Sequence, residues 1–395
     1  MRTRRTAALA ASVAVCALAA CSSSSSHSST PTTAAGAPTT AAGSSTTAST
    51  GSTTAAAGAP WGWPGDATTG WLAPHEPDVN GDGKVVIGIL SPGDTHDHGY
   101  YEGFVDAADT FAKANGWTVI TVDKVPTSQA AEEARNLCQQ HVDMVAIAAS
   151  QLNAALPVAS ESVCKDTVWY VGAGQGVPQT PYFVQTADVE SQDGYASGVA
   201  AGLLMKDANI TKVGFITGPQ ASFTTDFAKA WEVGIKSVVP NEQTVVTYTG
   251  DFDDSAKAVE AYSAMKSQGV GLVYPYLGGA TDAVASAANK DNIPVLTPGT
   301  DRCSSTSPKY AISVIFDPGT YFGAALGPFK DGTLRVGVSH VFHMGVDAVP
   351  TVKICAPHGN DAQTLAQVIA DIGSGKIRTD KLTGLDDYGT YNPGA

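Results

Sequence analysis

From Lys84 onward, continuously apolar runs alternate with stretches whose apolar residues recur at helical spacing. Val85-Val86-Ile87-Gly88-Ile89-Leu90 is apolar throughout and rich in β-branched residues, which predicts a buried strand. Tyr100, Phe104, Ala108 and Phe111 then fall on one helical face, and Asn115-Gly116 supplies the stop. The same reading continues with a strand at 117–122, a helix at 128–140, a strand at 142–148, a helix at 154–164 and a strand at 168–171. Strands that alternate with helices predict a parallel sheet covered on both faces.

A second series starts at Lys212 and repeats the first. Lys84-Val85 returns as Lys212-Val213, and Thr118-Val119-Ile120-Thr121 as Thr244-Val245-Val246-Thr247. Residues 128–134 align with 255–261, and Val142-Asp143-Met144-Val145 returns near Val270-Gly271-Leu272-Val273, each about 126 to 128 residues later. The repeat predicts two Rossmann-like α/β lobes joined by a hinge. Ligands of open parallel sheets bind at the carboxyl ends of the strands, so two such edges facing one another make a cleft. The boundaries expected are an arm at 61–83, a first lobe at 84–186 plus about 312–335, a second at 187–311 plus about 336–377, and a tail at 378–395. The tail either closes over the hinge or is loose.

The amino terminus changes the setting. Residues 1–5 are basic, residues 6–20 are an apolar Ala- and Val-rich run, and the run ends in Leu18-Ala19-Ala20-Cys21. That is the layout of an export signal, and its apolar part is short of the roughly 18 to 20 residues that span a bilayer. The last four residues resemble a bacterial lipobox, which makes Cys21 the expected site of lipidation; an incidental cysteine is the alternative. Residues 22–60 are Ser, Thr, Ala, Gly and Pro apart from His27. Such a tract cannot bury enough apolar surface to fold, and as a coil of about 39 residues it reaches roughly 35 Å. The expected location is extracytoplasmic, tethered to a bacterial cell membrane by lipid.

Charge narrows the partners. The chain of 395 residues carries 23 basic and 37 acidic groups, and loss of three leader arginines takes the net charge from −14 to −17. No basic stripe is present, which argues against nucleic acid. With the leader and Cys21 set aside, Cys138, Cys164, Cys303 and Cys355 remain, an even number that in an exported chain favours disulfides. Three connectivities are open. Cys138 with Cys164 and Cys303 with Cys355 is preferred, because the first two end consecutive predicted helices.

Several motifs have plain readings. Asp78-Val79-Asn80-Gly81-Asp82-Gly83 begins like a calcium loop, but the twelfth position is Ile89 and a turn is expected instead. His96 and His98, and His340 and His343, are separated pairs rather than a zinc site. Gly172, Gly174 and Gly176 lack both the spacing of a dinucleotide loop and the helix that would follow it. No Gly-x-Ser-x-Gly elbow, phosphate loop or zinc-protease helix occurs, so no enzyme, metal or cofactor is expected. Trp61, Trp63 and Trp71 are read as packing the arm against a lobe.

Several segments together resemble the basic membrane protein family of lipoprotein substrate-binding subunits of ABC importers. They are Asp97-His98-Gly99-Tyr100, Val125-Pro126, the block Gly250-Asp251-Phe252-Asp253-Asp254-Ser255-Ala256-Lys257-Ala258, Gln268-Gly269, and Tyr274-Pro275-Tyr276-Leu277-Gly278-Gly279. The similarity covers residues 84–377. It implies a type 1 periplasmic-binding-protein fold, a monomer that hands a nucleoside-like solute to an ABC permease, and ligand roles for Asp97, Phe227 and Asp301, the last as the carboxylate that accepts ribose hydroxyls. Two positions depart from the family pattern: Tyr101 replaces an Asn, and residues 313–317 contain no basic side chain. A receptor that senses a ligand without transporting it is the competing reading.

The chain itself adds further ligand candidates, each with a plainer alternative. Asp97 either meets ligand or caps a helix. Tyr100, Phe223 and Phe227 face the cleft or pack. Ser150, Gln151 and Asn153 follow a strand and bond either a ligand or turn amides. Gly278 and Gly279 admit close backbone approach or make a tight turn.

Overall fold

The computed structural model describes residues 71–173 and 177–387. The export signal, Cys21, the tether, Trp61, Trp63, Gly174, Gly176 and the end of the tail lie outside the described residues.

The first half runs β1 (Trp71–Leu72), β2 (Val86–Leu90), α1 (Tyr100–Asn115), β3 (Thr118–Val122), α2 (Ala130–Gln139), β4 (Met144–Ile147), β5 (Val168–Val171) and β6 (Val184–Asp188). Where a helix is expected at 154–164, two 3-10 stretches stand instead, Ser150–Ser160 and Ser162–Cys164. Pro157 has no amide to donate inside that segment, and Leu152 departs from helical geometry.

The second half runs α3 (Glu190–Ala208), β7 (Lys212–Thr217), α4 (Ser222–Lys236), β8 (Gln243–Tyr248), α5 (Ser255–Ser267), β9 (Leu272–Tyr276), α6 (Thr281–Lys290), β10 (Leu296–Gly299), β11 (Ile312–Ile315), α7 (Pro318–Lys330), β12 (Arg335–Val336), β13 (Ser339–Phe342), β14 (Thr351–Ile354), α8 (Asp361–Gly373) and α9 (Thr379–Thr383).

The first lobe holds a six-stranded sheet in the order β3-β2-β4-β5-β6-β13, parallel throughout. The second lobe pairs β8-β7-β9 in parallel and β10-β11-β14 beside it. A bridge from Val273 to Val295 joins these two groups. The second order thus copies the first strand for strand, except that β14 runs antiparallel to β11. Strands such as β2, β4 and β5 are apolar along their length because helices cover both faces of the sheet.

Two expected boundaries move. The apolar run at 312–315 pairs with β10 in the second lobe, not with the first, and residues 339–342 pair with β6 in the first lobe, not the second. The chain therefore crosses between lobes three times: after β6, after β11 and after β13. An apolar strand announces its burial but not its sheet, so residue patterning located the crossings a few positions too early.

The arm is pinned by β1 pairing with β12 and by the Trp71 indole donating to the Pro181 carbonyl at 2.8 Å. Asp78 accepts amides from Asp82 and Gly83, and Asp143 accepts those of Asn80 and Val86, so the calcium-like motif is a turn leading into β2. In the tail, Asp387 accepts the Ser191 amide at 2.6 Å and its hydroxyl at 2.9 Å, which docks this segment on the first turn of α3. Disulfides join Cys138 to Cys164 and Cys303 to Cys355.

Nearly all of α3 is buried, including its polar first turn. It reaches that depth because glycine lets α4 lie against it. A β-carbon on Gly198 would sit 2.1 Å from the Trp231 carbonyl, and one on Gly234 would sit 2.1 Å from the Tyr195 carbonyl. Backbone cannot retreat as a side-chain tip can, so Gly198→Ala should destabilise the protein by about 1–3 kcal/mol or more. Urea denaturation checks this, and an unchanged midpoint would show that the helices are free to separate.

Candidate functional site

The carboxyl edges of both sheets meet around one cavity of about 100 Å³. That space accommodates several waters or one small solute. From the first lobe come Tyr100 and Tyr101 at the start of α1, Ala149, Ser150 and Gln151 after β4, and Ala173 after β5. The second lobe contributes Phe223 and Phe227 of α4, Phe252 after β8, Tyr276 to Gly278 at the end of β9, and Pro298. The crossings supply Asp188, Glu190 and Phe316, with Asp193 one turn into α3.

The rings are mutually supported. Phe227 stacks on Tyr276 with centroids 4.5 Å apart, and Phe316 lies 5.9 Å from Tyr276, 6.4 Å from Phe227 and 6.2 Å from Tyr100. Phe252 stacks on Phe223 at 6.1 Å. The Gln151 amide donates to the Tyr101 hydroxyl at 3.4 Å. Flat faces held this way offer a solute contact area at little cost in side-chain freedom.

The Gly-Asp-Phe block builds the wall beside them. Asp254 caps α5 by accepting the amides of Ala256 and Lys257 at 3.1 Å. Asp253 accepts the Gly279 amide at 2.6 Å, and a β-carbon on Gly278 would lie 2.6 Å from the same oxygen. The two glycines thus let the end of β9 fold onto Asp253 and carry Tyr276 to the cavity.

The carboxylates are the chemical surprise. Burial, reinforced by Asp188, Asp387 and Asp226, pushes the Glu190 carboxyl well above its ordinary value. Burial likewise raises Asp193, helped by the charges of Asp188 and Glu190 and by a hydrogen bond to Asp188. Asp188 accepts the Tyr321 hydroxyl at 3.3 Å. Among the described residues no Lys, Arg or His lines the cavity.

Of the residues expected from sequence, Tyr100, Ser150, Gln151, Phe223, Phe227 and Gly278 line this cavity. Asp97, Asn153, Gly279 and Asp301 do not. Asp97 is buried and accepts the amides of Gly99, Tyr101 and Glu102, so it caps α1. Asn153 is exposed on its 3-10 helix, and Gly279 is committed to Asp253. Asp301 accepts the Cys303 amide and pairs with Lys353 at 2.8 Å at the surface. Beside it, Arg302 grips Asp282 and lies over the Tyr310 ring at 4.8 Å, which fixes the loop after β10.

Sequence reading missed Asp188, Glu190, Asp193, Phe252, Tyr276 and Phe316. One signal was available: Asp188, Glu190 and Asp193 place three acids within six residues, just ahead of a stretch of small and apolar residues from Gly194 to Met205. The two histidine pairs do not converge, and no cluster of three or more metal-ligating side chains occurs among the described residues.

Residues 84–354 match the profile of the ABC transporter substrate-binding protein PnrA-like family. Over 103 residues, 26% of this chain and 28% of the relative, the sequence is 35% identical to the ABC transporter nucleoside-binding protein BmpA of Lactococcus lactis subsp. cremoris. Over 212 residues, 49% and 58% of the two chains, it is 24% identical to Basic membrane protein C of Borreliella burgdorferi. Each match spans less than two thirds of the relative's own length. Among solved structures, an ABC transporter solute-binding protein from Conexibacter woesei superposes with a TM-score of 0.58 at 21% identity, covering 77% of this chain and 99% of the other. A solute-binding protein from Aeropyrum pernix gives 0.62 at 14% identity, covering 76% and 90%. These two establish the fold: periplasmic-binding-protein α/β architecture with parallel sheets. No helix among the described residues is long and apolar enough to cross a membrane.

The raised carboxyls make a prediction. Glu190 and Asp193 bind protons more tightly folded than unfolded, so their contribution to stability falls as pH rises past their ordinary values of 4.5 and 3.8. Buried His340, pushed down to about 4, and His343, to about 3, act oppositely and cost stability as pH falls below 6.5. Comparing Asp193→Asn with the parent isolates the acid. The variant's advantage in Tm should grow between about pH 5 and about pH 8; a difference independent of pH would mean that Asp193 is ionised in the folded chain.

Proposed function

The chain belongs to the PnrA-like family of ABC transporter substrate-binding proteins, and from that premise we propose that it captures a small nucleoside-like solute between its lobes and delivers it to an ABC permease. Lipidation at Cys21 would hold it on the outer face of the cell membrane, with residues 22–60 as the tether. The observation that carries the reading is the cavity itself. It lies where the strand ends of both lobes meet, and its walls are stacked rings beside polar groups.

A planar base would lie against the aromatic lining that Phe227, Tyr276 and Phe316 help to form, while hydroxyls of a sugar suit Ser150, Gln151 and the carboxyls. Binding draws the lobes together only if the closed arrangement makes more contacts with solute than the open one. Lining residues from both lobes support such closure.

Isothermal calorimetry with a panel of nucleosides, free bases, sugars and amino acids tests this. A nucleoside should bind saturably, and Tyr276→Leu should weaken it by about five-fold or more, since the ring face is lost while volume is nearly kept. Asp301→Ala should leave affinity within about two-fold, as a surface ion pair contributes little at a distance. A response to sugars or amino acids alone would reject the nucleoside, and a large loss in Asp301→Ala would move the site.

A further inference from the structure

One hydroxyl in the cavity wall is left without a partner. Tyr100 lines the cavity, and its hydroxyl oxygen is buried with no hydrogen bond among the described residues. Neighbouring tyrosines are satisfied: Tyr101 accepts from Gln151 at 3.4 Å, and Tyr170 bonds Thr186 at 2.7 Å. A buried polar group without a partner is costly, and the cost is recovered when a solute supplies the missing bond. Burial, reinforced by the charge of Asp188, raises the Tyr100 phenol well above its ordinary value, so it keeps its proton and remains a donor. Its ring lies 6.2 Å from that of Phe316, which in turn lies 5.9 Å from Tyr276. The unpaired donor is thus carried by a member of the ring group that a flat solute would lie against.

We propose that Tyr100 determines specificity: its hydroxyl donates to a carbonyl oxygen on the edge of the solute's flat body, so that oxo-bases are taken in preference to bases without that oxygen. This rests on the reading of the cavity as the solute site and narrows the class of solute. An exocyclic oxygen projects beyond the ring edge and offers two lone pairs, which suits a donor fixed in the wall. A base without it leaves the hydroxyl both dehydrated and unpaired, and discrimination of this kind exceeds what a missing apolar contact gives. In the free protein the same hydroxyl is a burden, so the group that improves binding lowers stability.

Calorimetry with inosine and with nebularine, the riboside that lacks the 6-carbonyl, tests this on the parent and on Tyr100→Phe. The parent should bind inosine at least about ten-fold more tightly, and in Tyr100→Phe the difference should shrink to within about two-fold. Without solute, Tyr100→Phe should melt about 2 °C or more above the parent, because a buried unpaired oxygen is removed. Tyr274→Phe is the comparison: its hydroxyl is also buried without a partner but does not line the cavity, so this variant should gain stability and keep the preference for inosine. A parent that binds nebularine as tightly as inosine, a Tyr100→Phe that keeps the ten-fold preference, or one that melts below the parent would overturn the proposal; in the first two cases the nucleoside reading stands. If only the free bases hypoxanthine and purine bind, with the same preference for the carbonyl, the nucleoside reading fails and this one holds. No binding by any of the four overturns both.

Discussion

The close contact of α3 with α4 is the constraint on which the site depends. Without the backbone approach at Gly198 and Gly234, α3 would ride higher on the second lobe. Its first turn would then meet water, and Glu190 and Asp193 would be ordinary surface acids. Packed as it is, the helix delivers two ionisable groups to a place where ionisation is costly, directly after the chain crosses between lobes. The tail adds to this by setting Asp387 on the amide and hydroxyl of Ser191. A carboxylate at a helix amino terminus is favourable in its own right, and here it also crowds the acids of the cavity.

Duplication explains why the cavity has two unlike walls. Each lobe presents the carboxyl ends of a sheet with the same strand order, so each offers loops at equivalent positions. The first lobe fills those positions with Ser150, Gln151 and two tyrosines, the second with Phe223, Phe227, Phe252 and Tyr276. The acids come from the crossing after β6 and from the first turn of α3. One disulfide ties the end of α2 to the Ser162–Cys164 stretch, and the other ties the loop after β10 to the residue that follows β14. They tie down the lobes and leave the crossings free.

Much of the fold was legible because it rests on local patterning. The apolar runs of β2, β4, β5 and β9, the Gly116 stop of α1 and the repeat itself are written in consecutive residues. The crossings were less legible, since β11 and β13 look alike as short apolar strands and only partner choice assigns them to lobes. The site was read in part. Gly278 follows from strand-end logic, whereas Asp97, Phe227 and Asp301 were placed by family likeness; Phe227 lines the cavity, Asp97 accepts amides at the start of α1 and Asp301 pairs with Lys353. Asp193 was invisible for a physical reason: its importance comes from the depth of α3, and that depth comes from glycines 36 residues apart in the chain.

Hydrogen–deuterium exchange with and without a saturating nucleoside tests the central claim, that solute is held between the lobes against the first turn of α3. Protection should rise at residues 188–195, 223–227 and 274–278 together, since these segments share one cavity. Protection confined to the loop that carries Asp301, or to one lobe alone, would contradict it.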